Sequence, residues 1–326
     1  MARADINEHR VDTSAVKVTV GDLHPLIMDE IIWALRLKDR PLAQLLTRLT
    51  FSIPARKFTR IVVELENAVA EGGPAFGARK IFKYFFNDMQ VSGAEQIPQE
   101  GPLILAANHP GGMESVAQIS LVGRNDMRVI SSDVNFLRPL PAVTDCLLPI
   151  TSDVRTRFSA LKEAVRHLEA GGCLLIYPSG SIDPEPRYFA NAKDHIHRWS
   201  KSLEVFIKKV PQLTVVPIIT SNVLHEKFLF NKLVMTQKYR MDRQRAAEFL
   251  QTLNMMFLKG RRIDLQMSIG KPIRFTEVDL NLKESVHQAK QQLQEAAEAL
   301  FDAHIRQFPP VRSEIWLEKD PVFQHT

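Results

Sequence analysis

The sequence predicts an α/β protein with a mixed, largely parallel sheet covered by helices, preceded by an N-terminal helical region. Three observations predict it. Between residues 103 and 269, short apolar runs of strand length alternate with stretches of helical periodicity. Before about residue 90, the apolar spacing is helical only. Gly and Pro punctuation falls where one kind of element gives way to the other, as at Gly171-Gly172. The division that follows is 1–90 for the helical region and 91–326 for the α/β domain, which closes on a C-terminal helix.

The elements follow in order. Leu26 to Leu37 (LIMDEIIWALRL) carries apolar residues at helical spacing, Leu42 to Leu49 continues the pattern, and Pro54 is expected to break it. Phe58 to Val69 reads as a helix ending near Gly72-Gly73-Pro74. Residues 77–89 (GARKIFKYFFNDM) mix aromatics with Arg79, Lys80 and Lys83. They predict a basic amphipathic helix that either lies on an anionic membrane or packs on the main domain. Strands are predicted at 103–107 (LILAA), 127–131, 147–150, 173–177 (CLLIY), 213–220 (with an awkward Pro217) and 263–269. Helices are predicted at 113–121, along Phe158, Leu161, Val165 and Leu168, at 193–209, at 243–258 and at 283–305.

Composition excludes several classes. In 326 residues, 45% are hydrophobic and 24% charged, which rules out a disordered, collagenous or multi-span membrane chain. No run of 18 apolar residues exists to span a bilayer. Two cysteines, Cys146 and Cys173, build no disulfide framework and favour a reducing compartment. The polar start MARADINEHRVD shows no secretory signal, so a cytoplasmic protein is expected. A net charge of +5 suits an anionic partner without choosing among a phosphate ligand, an acidic lipid surface and nucleic acid. For nucleic acid there is no motif beyond this basicity.

Two segments carry candidate chemistry. NHPGGMES, Asn108 to Ser115, follows the strand LILAA at the end where α/β proteins place their sites. Across the Pro110-Gly111-Gly112 turn, His109 and Glu114 are near enough to meet. A carboxylate on one ring nitrogen leaves the other basic and aimed. This is a general-base pair with no obvious protein nucleophile, so the substrate's own hydroxyl or amine would attack. The bland alternative is a structural turn. YPSGSIDPEP, Tyr177 to Pro186, follows CLLIY and offers hydroxyls and amides, with Asp183 and Glu185 close behind. It is no nucleophile elbow, because the residues two before and two after Ser179 are Tyr177 and Ser181 rather than glycines. No His-Glu-x-x-His or tight His/Asp cluster suggests a metal. His195 and His197 read as surface residues, and Ser159 to Lys162 as ordinary helix. Neither a dinucleotide fingerprint nor a Walker loop is present.

Together these motifs resemble the glycerolipid acyltransferase superfamily, which includes 1-acylglycerol-3-phosphate and glycerol-3-phosphate acyltransferases. The resemblance spans about residues 91–275: VSG at 91–93, Gly101-Pro102, Asn108-His109 with Glu114 in the family's Asp position, Tyr177-Pro178-Ser179-Gly180-Ser181-Ile182 for the third motif, and Val216-Pro217-Ile218. It implies that His109 is the general base and Glu114 its orienting carboxylate. The attacked thioester would be acyl-CoA or acyl-carrier protein, with no tightly bound cofactor and no metal. Asn108, Gly111, Gly112, Ser179, Gly180 and Ser181 would line the substrate and the oxyanion. The acceptor would be a lipid or glycerol-phosphate-like molecule, met at the inner face of a membrane.

Departures from the pattern fall in the third motif. Ser179 and Ile182 stand where the family has Glu and a phosphate-binding Arg. The family's second motif supplies an Arg just after a strand, for which Arg155 and Arg157 are the candidates. Arg187, soon after the third motif, is the candidate to replace the lost charge. A catalytically weak, lipid-binding relative is the alternative that these changes support.

Overall fold

The computed structural model describes residues 18–312, apart from 36, 259, 261, 276–278, 280 and 281. Helix α1 (Val20–Ala34) begins at a reciprocal cap in which Thr19 and Asp22 each satisfy the other's backbone amide. Helix α2 (Pro41–Phe85) follows, and Pro54 lies inside it without ending it. The expected break is overridden by packing: Ala55, next to Pro54, joins Val62 and Val69 in a core shared with Leu23 and Ile27 of α1. What interrupts α2 is Gly73, at φ +82 and ψ 177, a conformation that a residue with a Cβ resists.

Beyond α2 come β1 (Phe86–Ser92), β2 (Leu103–Ala107), α3 (Glu114–Val122), β3 (Met127–Ser132), α4 (Pro141–Asp145), β4 (Leu147–Ile150), α5 (Val154–Glu169) and β5 (Cys173–Ile176). The second half holds α6 (Ser202–Lys209), β6 (Thr214–Ser221), α7 (Glu226–Leu229), α8 (Lys232–Met235), α9 (Arg240–Leu258), β7 (Ile263–Ile269), β8 (Ile273–Arg274) and α10 (Lys283–Gln307). The strands form one mixed sheet in the order β1-β7-β6-β2-β5-β3-β4, with β8 also on β6. From β6 to β4 the neighbours are parallel, whereas β7 runs antiparallel to β6 and parallel to β1. The predicted fold class therefore holds.

β2 is central, and its alternation sorts the core into two layers. Ile104 and Ala106 point to the layer filled by α5, α6 and α10. Leu103, Leu105 and Ala107 point to the layer that holds Ile81 and Phe85 of α2 and Ala117 of α3. Pro217 is tolerated in buried β6 because of where it falls. Its carbonyl faces Gly270, in the gap between β8 (paired at Val215) and β7 (paired from Ile218), so its missing N–H deprives no ladder partner.

Two local expectations are corrected. The predicted 77–89 helix stops at Phe85, and Phe86 opens the edge strand β1, paired with β7. Ile81, Phe85 and Phe86 are buried in the core, so packing rather than solvent claims these apolar side chains. The predicted helix at 193–209 is a 3₁₀ segment, Ala190–Arg198, and then α6.

A buried polar relay joins α10 to the sheet. His304 bonds to Ser268 at 2.8 Å through Nδ1 and to Ser221 at 2.7 Å through Nε2, and it is fully buried. Burial pushes its pKa down to about 4. The unfolded chain therefore binds a proton at this residue from its ordinary pKa of 6.5 downward, whereas the folded chain binds it only near 4. This share of stability is complete above pH 6.5 and is lost as pH falls through 4. We predict that the unfolding free energy, measured relative to a His304→Asn variant, drops by about 3 kcal/mol between pH 7.5 and pH 4. Urea titrations at both pH values would check it, and parallel pH profiles for the two proteins would refute it.

Candidate active site

His109 stands immediately beyond the carboxyl end of β2, where the strand's backbone runs out and the chain turns on Pro110 and Gly111. Asn108 fixes this exit. Its side-chain amide donates to the Thr220 carbonyl at 2.9 Å and its side-chain oxygen accepts the Thr220 amide at 2.7 Å, extending the pairing with β6. Both ends of that side chain are thereby committed to the protein.

The imidazole Nδ1 of His109 lies 2.7 Å from Glu114 Oε1, in the first turn of α3. Glu114 is fully buried, while the His109 side chain retains 25% exposure. Tyr177, at the end of β5, stacks on the imidazole with ring centres 4.1 Å apart and planes 21° apart. Its hydroxyl donates to Gln118. Burial pushes the His109 pKa down, but the carboxylate of Glu114, then those of Asp183 and Glu248, outweigh it, and the net shift is upward. The groups acting most strongly on His109 are thus three carboxylates.

Asp183 anchors the main chain beneath the imidazole. Its Oδ2 accepts the His109 amide at 2.8 Å, and its own amide donates to the His109 carbonyl at 2.8 Å. The other oxygen, Oδ1, meets His195 Nδ1 at 3.0 Å. His195 is 4% exposed, which corrects the surface reading of that residue, while His197 is exposed and pairs with Glu298. Glu185, fully buried, accepts the amides of Asn222 and Val223 and pins the turn after β6. Burial lifts its pKa to about 7.

The sequence gives no hint of the part played by α9. One face of this helix clasps both motif loops. Arg240 donates to the Ile182 carbonyl at 2.9 Å, and Gln244 donates to the carbonyls of Pro110 at 2.7 Å and Asp183 at 2.9 Å. Glu248 accepts the amides of Gly112 and Met113, and Gln251 bonds to Val223 and His225. Positions 240, 244, 248 and 251 share a face at helical spacing. A polar stripe of this kind ordinarily reads as solvated surface. Here Arg240, Gln244 and Gln251 are buried.

The remaining sequence candidates are placed as follows. The amides of Gly111, Gly112 and Gly180 bond to Glu114, Glu248 and the Tyr177 carbonyl, respectively. Ser179 Oγ donates to the Ser181 carbonyl and accepts the Ser181 amide. Arg155 is exposed on the first turn of α5, and Arg157 donates to Ser152. Arg187 is half-buried, and its carbonyl accepts Val311 and Arg312. Among the described residues, no hydrogen bond or ion pair joins these three arginines to the His109 turn. Ile182 is buried, and the guanidinium beside it is that of Arg240. Two cavities, of about 370 and 290 Å³, lie along α2 and are not lined by either motif loop.

Comparison with known proteins bears on this geometry. No curated protein matches the sequence. Among solved structures, the chain is similar to the 1-acyl-sn-glycerophosphate (LPA) acyltransferase PlsC from Thermotoga maritima, at 13% identity and a TM-score of 0.43, over 87% of this chain and 98% of that one. Residues 88–221, which contain His109, Glu114 and the Tyr177–Asp183 loop, match the family model described as Acyltransferase. Through that segment, the chain is similar to the acyltransferase family whose motifs its sequence resembles.

Proposed function

We propose that the protein transfers a fatty acyl group from an acyl thioester, acyl-CoA or acyl-carrier protein, to a hydroxyl or amine of a glycerolipid-type acceptor, with His109 as general base. The carrying observation is the 2.7 Å contact between His109 Nδ1 and buried Glu114 at the end of the central strand. It holds the imidazole in the tautomer that leaves Nε2 able to accept a proton. The acceptor's O–H or N–H gives its proton to Nε2, and its heteroatom attacks the thioester carbon. The tetrahedral intermediate then collapses, the C–S bond breaks, and the thiolate takes the proton back from the imidazolium. Glu114 stabilises that imidazolium. Asp183 and Gln244 hold the backbone on which it is mounted. Incubating the protein with a lipid extract and labelled acyl-CoA or acyl-carrier protein, followed by mass analysis of the product, tests the reading. A protein that binds lipid but makes no acylated product would instead be the inactive relative that Ile182 favours.

The lipid substrate calls for a docking face, and the exposed residues supply a candidate. Leu42, Leu45, Leu46, Leu49 and Ile53 form an unbroken stripe on α2, each more than half exposed, with Trp33 nearby in chain order at the end of α1. Lys38, Arg40, Arg48, Arg56, Lys57 and Arg60 are exposed around it. An apolar stripe flanked by cations matches an anionic bilayer, which takes up the leucines at about 1.5–3 kcal/mol for each one fully buried. Each Lys or Arg near the surface adds about 1 kcal/mol. This stripe replaces residues 77–89 as the proposed membrane face. A Leu45→Asp/Leu49→Asp variant should sediment with anionic vesicles at least about tenfold less than the wild type, and high salt should weaken the wild type too. Equal sedimentation of both proteins would refute the assignment. A dimer lost in the variant would assign the face to a second copy.

A further inference from the structure

Unpaired backbone amides in the turn that leads into a helix form a ready seat for an anion. In the Gly112-Met113 turn ahead of α3, that seat is taken by the protein itself. Glu248, from the middle of α9, accepts the amides of Gly112 and Met113 through Oε1, at 2.8 and 3.0 Å. The same carboxylate borders the catalytic pair. A Cβ placed on Gly111 would lie 3.1 Å from Glu248 Oε1 and 3.3 Å from Glu114 Oε2, so two carboxylates share one wall beside His109. Burial raises the Glu248 pKa and the like charge of Glu114 raises it further, while the two amides and His109 pull it back.

On the Ile182 side, the side chain itself offers a phosphate no hydrogen bond, and Arg240 beside it is buried and directs N–H groups to the Ile182 carbonyl and to Gln244. Of the three carboxylates that dominate at His109, Asp183 is matched by His195 and Glu114 by His109 itself. Among the described residues, Glu248 is in no ion pair and is held by the two amides. The carboxylate of Glu248 therefore biases this space against a phosphate, and apolar Ile182 offers one no hydrogen bond.

Resting on the acyl-transfer reading, we propose that Glu248 is a specificity-determining residue: it fills the amide seat of the Gly112-Met113 turn ahead of α3 with the protein's own carboxylate and excludes acceptors that bring a phosphate to His109. The class that remains is a lyso-lipid whose reacting hydroxyl or amine has an uncharged or cationic neighbourhood.

The test separates charge from structure. Glu248→Gln keeps an oxygen able to accept both amides and removes only the charge. kcat/KM would be measured for lysophosphatidate and for a phosphate-free monoacylglycerol, with the wild type and with Glu248→Gln. The wild type should favour the phosphate-free acceptor. The ratio of phosphate-bearing to phosphate-free turnover should rise about tenfold or more in the variant, as expected for removing a like charge at close range. A ratio that does not move, or a wild type that favours lysophosphatidate, overturns the assignment. Phosphorus NMR of inorganic phosphate tests the seat without turnover. Line broadening with Glu248→Ala, which leaves both amides open, and none with the wild type, supports it. Equal behaviour of the wild type and Glu248→Ala overturns it. If no acceptor is acylated but the phosphate difference persists, the acyl-transfer reading fails and the role of Glu248 stands.

Discussion

Replacing His109 with alanine should lower acyl transfer by at least about 100-fold, the lower range for a lost general base. The side chain is only partly buried and its ring packs on Tyr177, so the loss opens space at the mouth of the site rather than in the core. The backbone contacts that shape the turn, from Asp183 to the His109 amide and carbonyl, do not involve the imidazole and should survive. The variant should therefore fold with a near-native melting transition. In the wild type, the base acts only when neutral, and its carboxylate neighbours hold its pKa above the ordinary 6.5. Turnover at low substrate should then rise with pH along an acid limb placed above 6.5. A folded His109→Ala protein that retains normal turnover would remove the histidine from the mechanism.

Glu114→Gln should be nearly as damaging, by about 10²- to 10⁴-fold in turnover. The charge that stabilises the imidazolium is lost. An amide N–H facing Nδ1 would also favour the tautomer with its proton on Nε2, which cannot accept the acceptor's proton. Loss of the carboxylate removes the largest upward influence on the His109 pKa, so the acid limb should move to lower pH while the plateau falls. Both changes are read from one pH–rate profile. Glu114→Asp keeps the charge but shortens the reach by one methylene, and it should recover part of the activity. Wild-type turnover with an unmoved acid limb in Glu114→Gln would show that the 2.7 Å contact is structural only.

Much of this was readable along the chain, because it is local. LILAA and CLLIY are continuous apolar runs since β2 and β5 are buried on both faces, and such strands need no polar alternation. His109 and Glu114 are five residues apart across one tight turn, so their meeting depends on little beyond that turn. The family's order of short motifs lies along these same strand ends.

What lay beyond the sequence depends on which polar groups lose their water, and distant segments decide that. Gln244 and Glu248 meet the His109 turn across 134 and 136 residues. On α9 alone they are indistinguishable from a solvated stripe, and only docking against Pro110, Gly112 and Asp183 desolvates them into a clasp. His195 reads as a surface residue until Asp183 is folded onto it. Of the N-terminal apolar stretches, 77–89 leaves membrane and core both open, while Leu42 to Leu49 reads only as helix. Ile81 and Phe85 go into the core, whereas Leu42, Leu45 and Leu49 remain in water. Helical periodicity marks that a helix has an apolar face, but whether that face finds a sheet, a partner or open solvent is set by the space the rest of the chain leaves beside it.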